Sequence, residues 1–231
     1  MPHKKPKLVV LSGAGISAES GVKTFRDSGG LWENYPVEEV AAIEAWSWNK
    51  EVMLRFYNER RAQLQSVTPN AAHTGLAALE KDYDVYIITQ NVDDLHERAG
   101  STKVLHLHGE LKKMRSENHP HEDRYALPIE GDIKLGETAP DGGQLRPHIV
   151  WFGEPVMAIE TAVEAVADAD IVVVVGTSLQ VYPAAGLVDV APSSAKIFVI
   201  DREVPFVRRN IVPIEKPATE GVQELMRLLK A

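Results

Sequence analysis

KLVVLSGAGISAESG, residues 7–21, decides the reading of the fold. Residues 8–11 are aliphatic without alternation, the run stops at Gly13 and Gly15, and a segment with helical character follows. An unbroken apolar run suits a strand buried on both faces, and strand, glycine-rich turn, helix is the opening unit of a parallel sheet. Similar runs return at 85–89 (VYIIT), 171–175 (IVVVV) and 197–200 (IFVI). Between them, 71–80, 159–167 and the terminal VQELMRLL carry apolar residues at helical spacing. The alternation predicts an α/β protein: a parallel sheet with helices on both faces. Ligands of such sheets sit at the carboxyl ends of the strands, where this chain places SGAG, TQNVDD, VGTS and IDRE.

Two stretches interrupt the alternation. Residues 36–67 read as a helix-rich insertion, and 112–143 as a polar, poorly periodic module or long loop; together they would form a smaller inserted lobe. The 231 residues suffice for one sizeable core. With 25 Lys+Arg against 33 Asp+Glu, the net charge of −8 repels phosphate backbones, so direct nucleic-acid binding is not expected. There is no cysteine, hence no disulfide, thiolate metal site or cysteine nucleophile. The run 171–175 is too short to span a bilayer, and the basic N-terminus meets glycine too early for a secretory segment. A cytoplasmic protein without a membrane segment is expected, with the monomer as the default.

The turn at Gly13, Ala14 and Gly15 would let a backbone approach a pyrophosphate at a helix N-terminus, although a tight turn needs the same glycines. TFRDSGGLW, residues 24–32, reads either as a plain surface loop or as a flap over a ligand, with Arg26 near the phosphate turn favouring the flap. Gln90, Asn91 and Asp93 follow a buried strand and are placed to hold an amide and ribose hydroxyls, or to cap a turn. His106 and His108 stand two apart on one side of a strand-like stretch, a spacing open to metal binding, to general-base work, or to a satisfied core histidine.

GAGISAESG, TFRDSGGLW, TQNVDDLHERAG, HLHGEL, LRPHIVWFGE and VGTSLQVYPAA occur in the order in which sirtuins carry them, from Leu8 to about Arg202, and six motifs in order are highly specific. The chain therefore resembles the sirtuin family. That resemblance implies a Rossmann-like NAD-binding domain over 1–35, 68–111 and 144–231, with the small lobe in 36–67 and 112–143. It implies NAD contacts at Gly13, Ala14, Gly15, Thr24, Phe25, Arg26, Gln90, Asn91, Asp93, Gly176, Thr177, Ser178 and Asp201. His108, with Asn91 and Asp93, would be catalytic, and His106 a bystander. Asp201 stands where sirtuins usually carry Asn; a carboxylate there can accept from a ribose 2′-OH and should repel a 2′-phosphate.

The chemistry implied is NAD⁺-dependent removal of acyl groups from protein lysines. The acyl oxygen attacks C1′ of the nicotinamide ribose and nicotinamide leaves; His108 activates a ribose hydroxyl, which attacks the imidate carbon, and hydrolysis by one water yields free lysine and O-acyl-ADP-ribose. HIVWFGEP and LQVYP would sandwich the acylated-lysine peptide as an added strand through Val150, Phe152, Gly153, Glu154, Leu179 and Val181; without the family they read as connecting loops.

Two departures matter. Sirtuins usually carry two Cys-x-x-Cys pairs in the small lobe; here Ser116, His119 and Asp141 stand near those places, so a thiolate zinc site cannot form. No structural zinc is expected. A site from His119, His121 and Asp141 is conceivable, but solvated histidines suit the spacing better, and Leu127, Ile129, Ile133 and Leu135 are the apolar anchors available. Secondly, Met53, Phe56, Tyr57, Arg60 and Leu64 share one helix face, which puts an arginine on an apolar stripe. It could snorkel, pair with a carboxylate, or await an anion. Tyr57 and Arg60 match a pair in the sirtuins that remove succinyl, malonyl and glutaryl groups, and Ala41 matches their small pocket residue. Acidic-acyl preference is therefore expected, with deacetylation secondary. The rivals are a protein mono-ADP-ribosyltransferase on the same scaffold and a non-catalytic NAD-sensing module; nothing resembles the hydride-acceptor site of a dehydrogenase.

Overall fold

The computed structural model describes residues 4–22, 31–32 and 35–230. In chain order the elements are β1 (Lys7–Ser12), α1 (Gly15–Ala18), β2 (Leu31–Trp32), β3 (Tyr35–Pro36), α2 (Val37–Val40), α3 (Ile43–Trp46), α4 (Lys50–Gln63), α5 (Ala71–Ala78), β4 (Asp84–Thr89) and α6 (Leu95–Arg98). They continue as β5 (Val104–His106), β6 (Gly109–Ser116), β7 (Leu127–Pro128), β8 (Leu145–Ile149), α7 (Ile159–Ala167), β9 (Ile171–Val175), α8 (Leu187–Val190), β10 (Lys196–Asp201), β11 (Val212–Glu215) and α9 (Ala218–Leu228).

Six strands form one sheet in the order β11-β10-β9-β1-β4-β5, with every pairing parallel. The apolar runs are its inner strands, buried on both faces as their lack of alternation requires. Leu8, Val10, Val173, Val175, Phe198 and Ile200 pack under α5 and α9. Val9, Leu11, Val172, Val174, Ile197 and Val199 pack under α7 and α8 on the other side. This is the Rossmann-like arrangement that the sequence predicts. The chain builds outward from β1 through β4 to β5, then returns to β9 beside β1 and proceeds to β10 and β11. The order therefore reverses between β1 and β9, and their carboxyl ends open a crevice at the switch point.

The second lobe has its own core, in which Met53, Phe56, Tyr57 and Leu64 of the α4 region meet Leu111, Ile133, Leu145, Ile149 and Trp151. β6, which runs into the 112–143 stretch, and β8, which follows it, pair with each other, and β7 adds at the edge. Two of the four anchors expected there fail: Leu127 and Leu135 are 49% and 56% exposed. β7 is an edge strand that pairs only with β6, so its side chains find no second layer. Ile133 is buried, and Ile129 packs against the lobe core. Where thiolates would stand, Ser116 Oγ donates to Asp141 at 2.8 Å, and the His119 ring lies between Glu122 (2.9 Å) and Asp141 (3.3 Å). These carboxylates address opposite ring nitrogens rather than a common point. Among the described residues no group of three or more His, Cys, Asp or Glu side chains is arranged to hold a metal ion. Nor is any described helix long and apolar enough to cross a membrane.

Candidate active site

The crevice at the switch point is the mouth of a cavity of about 860 Å³, within the range of cofactor-sized pockets. Gly13, Ala14 and Gly15 line it from the β1 turn, and Gly176, Thr177 and Ser178 from the β9 turn. The two turns touch: Gly15 N donates to Gly176 O at 2.8 Å, and Gly13 N to Val175 O at 3.1 Å. A Cβ on Gly13 would come within 2.7 Å of Thr177 Cβ, and one on Gly15 within 2.7 Å of Gly176 Cα. Close packing of turn on turn therefore demands these glycines whatever the ligand. The expected helix N-terminus is altered too, since α1 is a single turn of 4 residues. The amides of Gly13, Gly15, Ile16 and Ser17 are all bonded within the chain. Thr24, Phe25 and Arg26 lie outside the described residues.

β4 ends at Thr89, and Gln90, Asn91 and Asp93 turn from it into the cavity. The Gln90 amide donates to Thr177 Oγ1 at 3.0 Å, tying this turn to the next strand end. Ser17 Oγ accepts from Asn91 Nδ2 (3.1 Å) and donates to Asp93 Oδ2 (3.0 Å), while Leu95 N donates to Asp93 Oδ1 (3.2 Å). Burial pushes the Asp93 carboxyl up, and those two donors hold it back. Beneath lie two more imidazoles, His73 near Ser17 (3.5 Å) and His96 on Ser12 Oγ (2.9 Å), their rings 5.0 Å apart. Desolvation holds His73 down to about 4 and His96 to about 3, so both are neutral.

His106 and His108 reach back to successive carbonyls of the β4 turn. His108 Nδ1 faces Gln90 O at 3.1 Å and lines the cavity. A carbonyl only accepts, so the proton sits on Nδ1 and the lone pair on Nε2. Burial lowers the pKa of this ring, with the Gln90 bond acting against it, so the neutral form dominates near neutrality. A neutral ring of fixed tautomer is what a general base requires.

At the lobe side Ala41, Tyr57 and Arg60 share the same cavity. Tyr57 is fully buried; its hydroxyl accepts from Trp151 Nε1 at 2.9 Å, and burial drives its pKa far up, so it stays protonated. The Arg60 side chain is 14% exposed, stacks over Phe56 at 4.5 Å and has half-exposed Glu59 at 3.9 Å. Val150, Phe152 and Gly153 form the adjoining wall, with Phe152 N donating to Ala41 O (2.8 Å) and Val150 N to His108 O (2.9 Å). Val181 and Asp201 also line the cavity, and Asp201 Oδ1 accepts from Glu203 N at 3.3 Å.

Two of the expected substrate contacts have side chains engaged elsewhere. The Leu179 side chain is partly buried and packs against the core beneath α7 and α8, its backbone at φ 53°. Glu154 borders the cavity, yet its carboxylate is 2% exposed and takes bonds from Arg146 Nη1 (2.7 Å) and Nη2 (2.8 Å) and from Trp151 N (2.9 Å). Buried arginines need that counter-charge, so the side chain is committed within the wall, and the expected peptide contact at this position is one of the main chain. Sequence reasoning also passed over Arg61, 1% exposed, which donates to Leu111 O and Gly131 O and binds α4 to the lobe.

A parallel sheet with a ligand-sized cavity at its switch point and an oriented imidazole on the wall defines a class of nucleotide-dependent enzymes. The Sir2 family model matches residues 13–183. An NAD-dependent protein deacylase of Bacteroides thetaiotaomicron is 53% identical over 227 residues, covering 96% of this chain and 97% of the relative. A crystal structure of a Sir2 homologue–NAD complex superposes with TM-score 0.85 at 36% identity, covering 98% of this chain and 90% of the other. A Sir2 homologue mutant in complex with 2′-O-acetyl ADP ribose gives TM-score 0.85 at 36% identity, covering 98% and 92%. The chain belongs to the Sir2 family.

Proposed function

We propose that this protein is an NAD⁺-dependent protein-lysine deacylase that prefers acyl groups ending in a carboxylate, succinyl, malonyl or glutaryl, with acetyl secondary. The observation that carries the preference is Arg60: a guanidinium on an apolar helix face, opening into the cavity next to fully buried Tyr57 and small Ala41. A planar cation and a hydroxyl donor side by side suit a carboxylate, and Ala41 leaves it room. Since an indole N–H can only donate, the Tyr57 oxygen accepts from Trp151, and that bond orients the hydroxyl.

NAD⁺ suits the crevice because Gln90, Thr177 and Asp201 distribute amide, hydroxyl and carboxylate along a cavity of about 860 Å³. When bound it supplies an electrophilic ribose carbon and nicotinamide as leaving group. Asn91 and Asp93 would hold the nicotinamide end, ordered by Ser17. His108 Nε2 would take the proton of a ribose hydroxyl, Gln90 O fixing the ring, and the apolar wall of Val150 and Phe152 would exclude water. The products are nicotinamide, free lysine and O-acyl-ADP-ribose, and acylated-lysine proteins are the substrates.

Nicotinamide release from NAD⁺ with succinyl-lysine and acetyl-lysine peptides tests the reading. Arg60→Met should lower kcat/KM for succinyl-lysine by about 10- to 100-fold, the worth of a charge-assisted pair, and for acetyl-lysine by much less. Equal losses would remove the acidic-acyl assignment. ADP-ribosylated protein in place of O-acyl-ADP-ribose would favour a transferase.

A further inference from the structure

His106 lies directly behind the β4 turn, and its two nitrogens face acceptors only. Nδ1 is 2.8 Å from the carbonyl of Asn91, and Nε2 is 2.8 Å from the Glu97 carboxylate on α6. A neutral imidazole carries one N–H and could serve one of these partners, while the imidazolium serves both. The side chain is 7% exposed, so the charge is held in a nearly dry place. His73 and His96, buried more deeply still, lack a pair of acceptors and are neutral, which sets His106 apart. The groups facing it bear this out. Burial alone would lower its pKa, but the Glu97 bond and charge, the Asn91 carbonyl and Glu110 on β6 more than offset that, and the pKa is raised. Glu97 correspondingly falls below the usual carboxylate range, chiefly through His106 working against desolvation, with Lys113 helping. The remaining neighbours are Asp93, whose carboxylate this charge favours, and neutral His96.

We propose that His106 is a positioning residue: as an imidazolium it clamps the Asn91 carbonyl to the Glu97 carboxylate, and so fixes the backbone that aims Gln90, Asn91 and Asp93 into the cavity. The inference rests on that turn being the nicotinamide-ribose pocket. It adds a pH dependence separate from that of His108. A pKa raised in the folded state means that the clamp is complete below the ordinary histidine value of about 6.5 and is lost as pH rises through the raised value. Nδ1 then keeps its proton for Asn91, while the bare Nε2 repels Glu97, which is 40% exposed and can swing out. The turn loses its outer anchor.

The experiment uses the full chain, ¹⁵N-histidine-labelled and followed by NMR from about pH 6 to about pH 9, alongside KM for NAD⁺ and kcat for wild type, Glu97→Gln and His106→Gln. In wild type, His106, assigned by the signal that His106→Gln removes, should have both nitrogens protonated at neutral pH. In Glu97→Gln the same ring should turn neutral at lower pH. KM for NAD⁺ should then rise about fivefold near pH 7.5 with kcat within about twofold, and the gap should close toward pH 6 as the ring reprotonates and donates to the new amide oxygen. A merely structural loss would raise KM alike at every pH. A neutral His106 in wild type at pH 7, or a Glu97→Gln penalty that is absent or independent of pH, overturns the inference and leaves the deacylase reading standing. Wild-type protein that releases no nicotinamide overturns both.

Discussion

The buried pair beneath the site makes acid a specific threat to the fold. His73 and His96 are 0% and 1% exposed and are held down to about 4 and about 3. In the unfolded chain each takes up a proton below about 6.5, whereas in the folded chain each stays neutral. The unfolded state thus binds more protons as pH falls, and stability drops by about 1.4 kcal/mol per pH unit per histidine until the folded pKa is reached. From about pH 6 to about pH 4.5 the two together should remove roughly 4 kcal/mol, a large part of the 5–15 kcal/mol of a typical domain. The perturbation is His96→Gln, which keeps a polar group toward Ser12 but does not titrate. Urea unfolding at a series of pH values gives the slopes. Whatever stability the variant starts from, its slope should be shallower by about 1.4 kcal/mol per unit, because Asp93, with the opposite sign, and the other carboxylates contribute alike to both proteins. Parallel slopes would refute the claim that His96 is buried neutral.

His108→Ala should lower kcat for deacylation by about 10² to 10⁴ while calorimetry still shows NAD⁺ binding. In wild type kcat/KM should rise with pH as His108 loses its proton, and since that pKa lies below the ordinary value the rise should be complete by neutrality; retained turnover in the variant would remove the base assignment. Elemental analysis of the purified protein should find less than one zinc per chain, because no cysteine is present to supply a thiolate; one tightly held ion would contradict that.

The large sheet was legible because its inner strands are buried on both faces and say so without interruption. Ile171–Val175 and Ile159–Ala167 match the runs read from sequence to the residue. The outer strands were not. β5 has 3 residues, and β11 carries Pro213 in a stretch of 4, so neither shows a period. That the β4 and β9 turns line the cavity was legible through their motifs, but the hydrogen-bond partners of their residues were not. His106 reads as a bystander since its meaning lies in Glu97 and in the Asn91 carbonyl, neither of which any spacing rule connects to it. Arg61, Arg115 and Arg146 carry no signal in the sequence; all three are buried, and only the three-dimensional placement of acceptors shows why.

Those arginines bear on how a lobe without thiolates can shape an acyl pocket. Glu154 receives two bonds from Arg146 and one from the amide of Trp151, and Arg115 Nη2 stands 3.9 Å from the same carboxylate. Arg146 also lies 3.5 Å over the Trp151 ring, fixing the plane from which Nε1 donates to Tyr57. A buried ion pair is poor evidence of net stabilisation, because desolvation offsets much of the Coulomb gain. Its effect here is orientation: the indole has one direction left, and that direction sets the Tyr57 hydroxyl. Removing Glu154 would strand buried arginine charge at a cost of about 3–5 kcal/mol, so lost activity in such a variant would report misfolding of the pocket wall rather than a missing substrate contact.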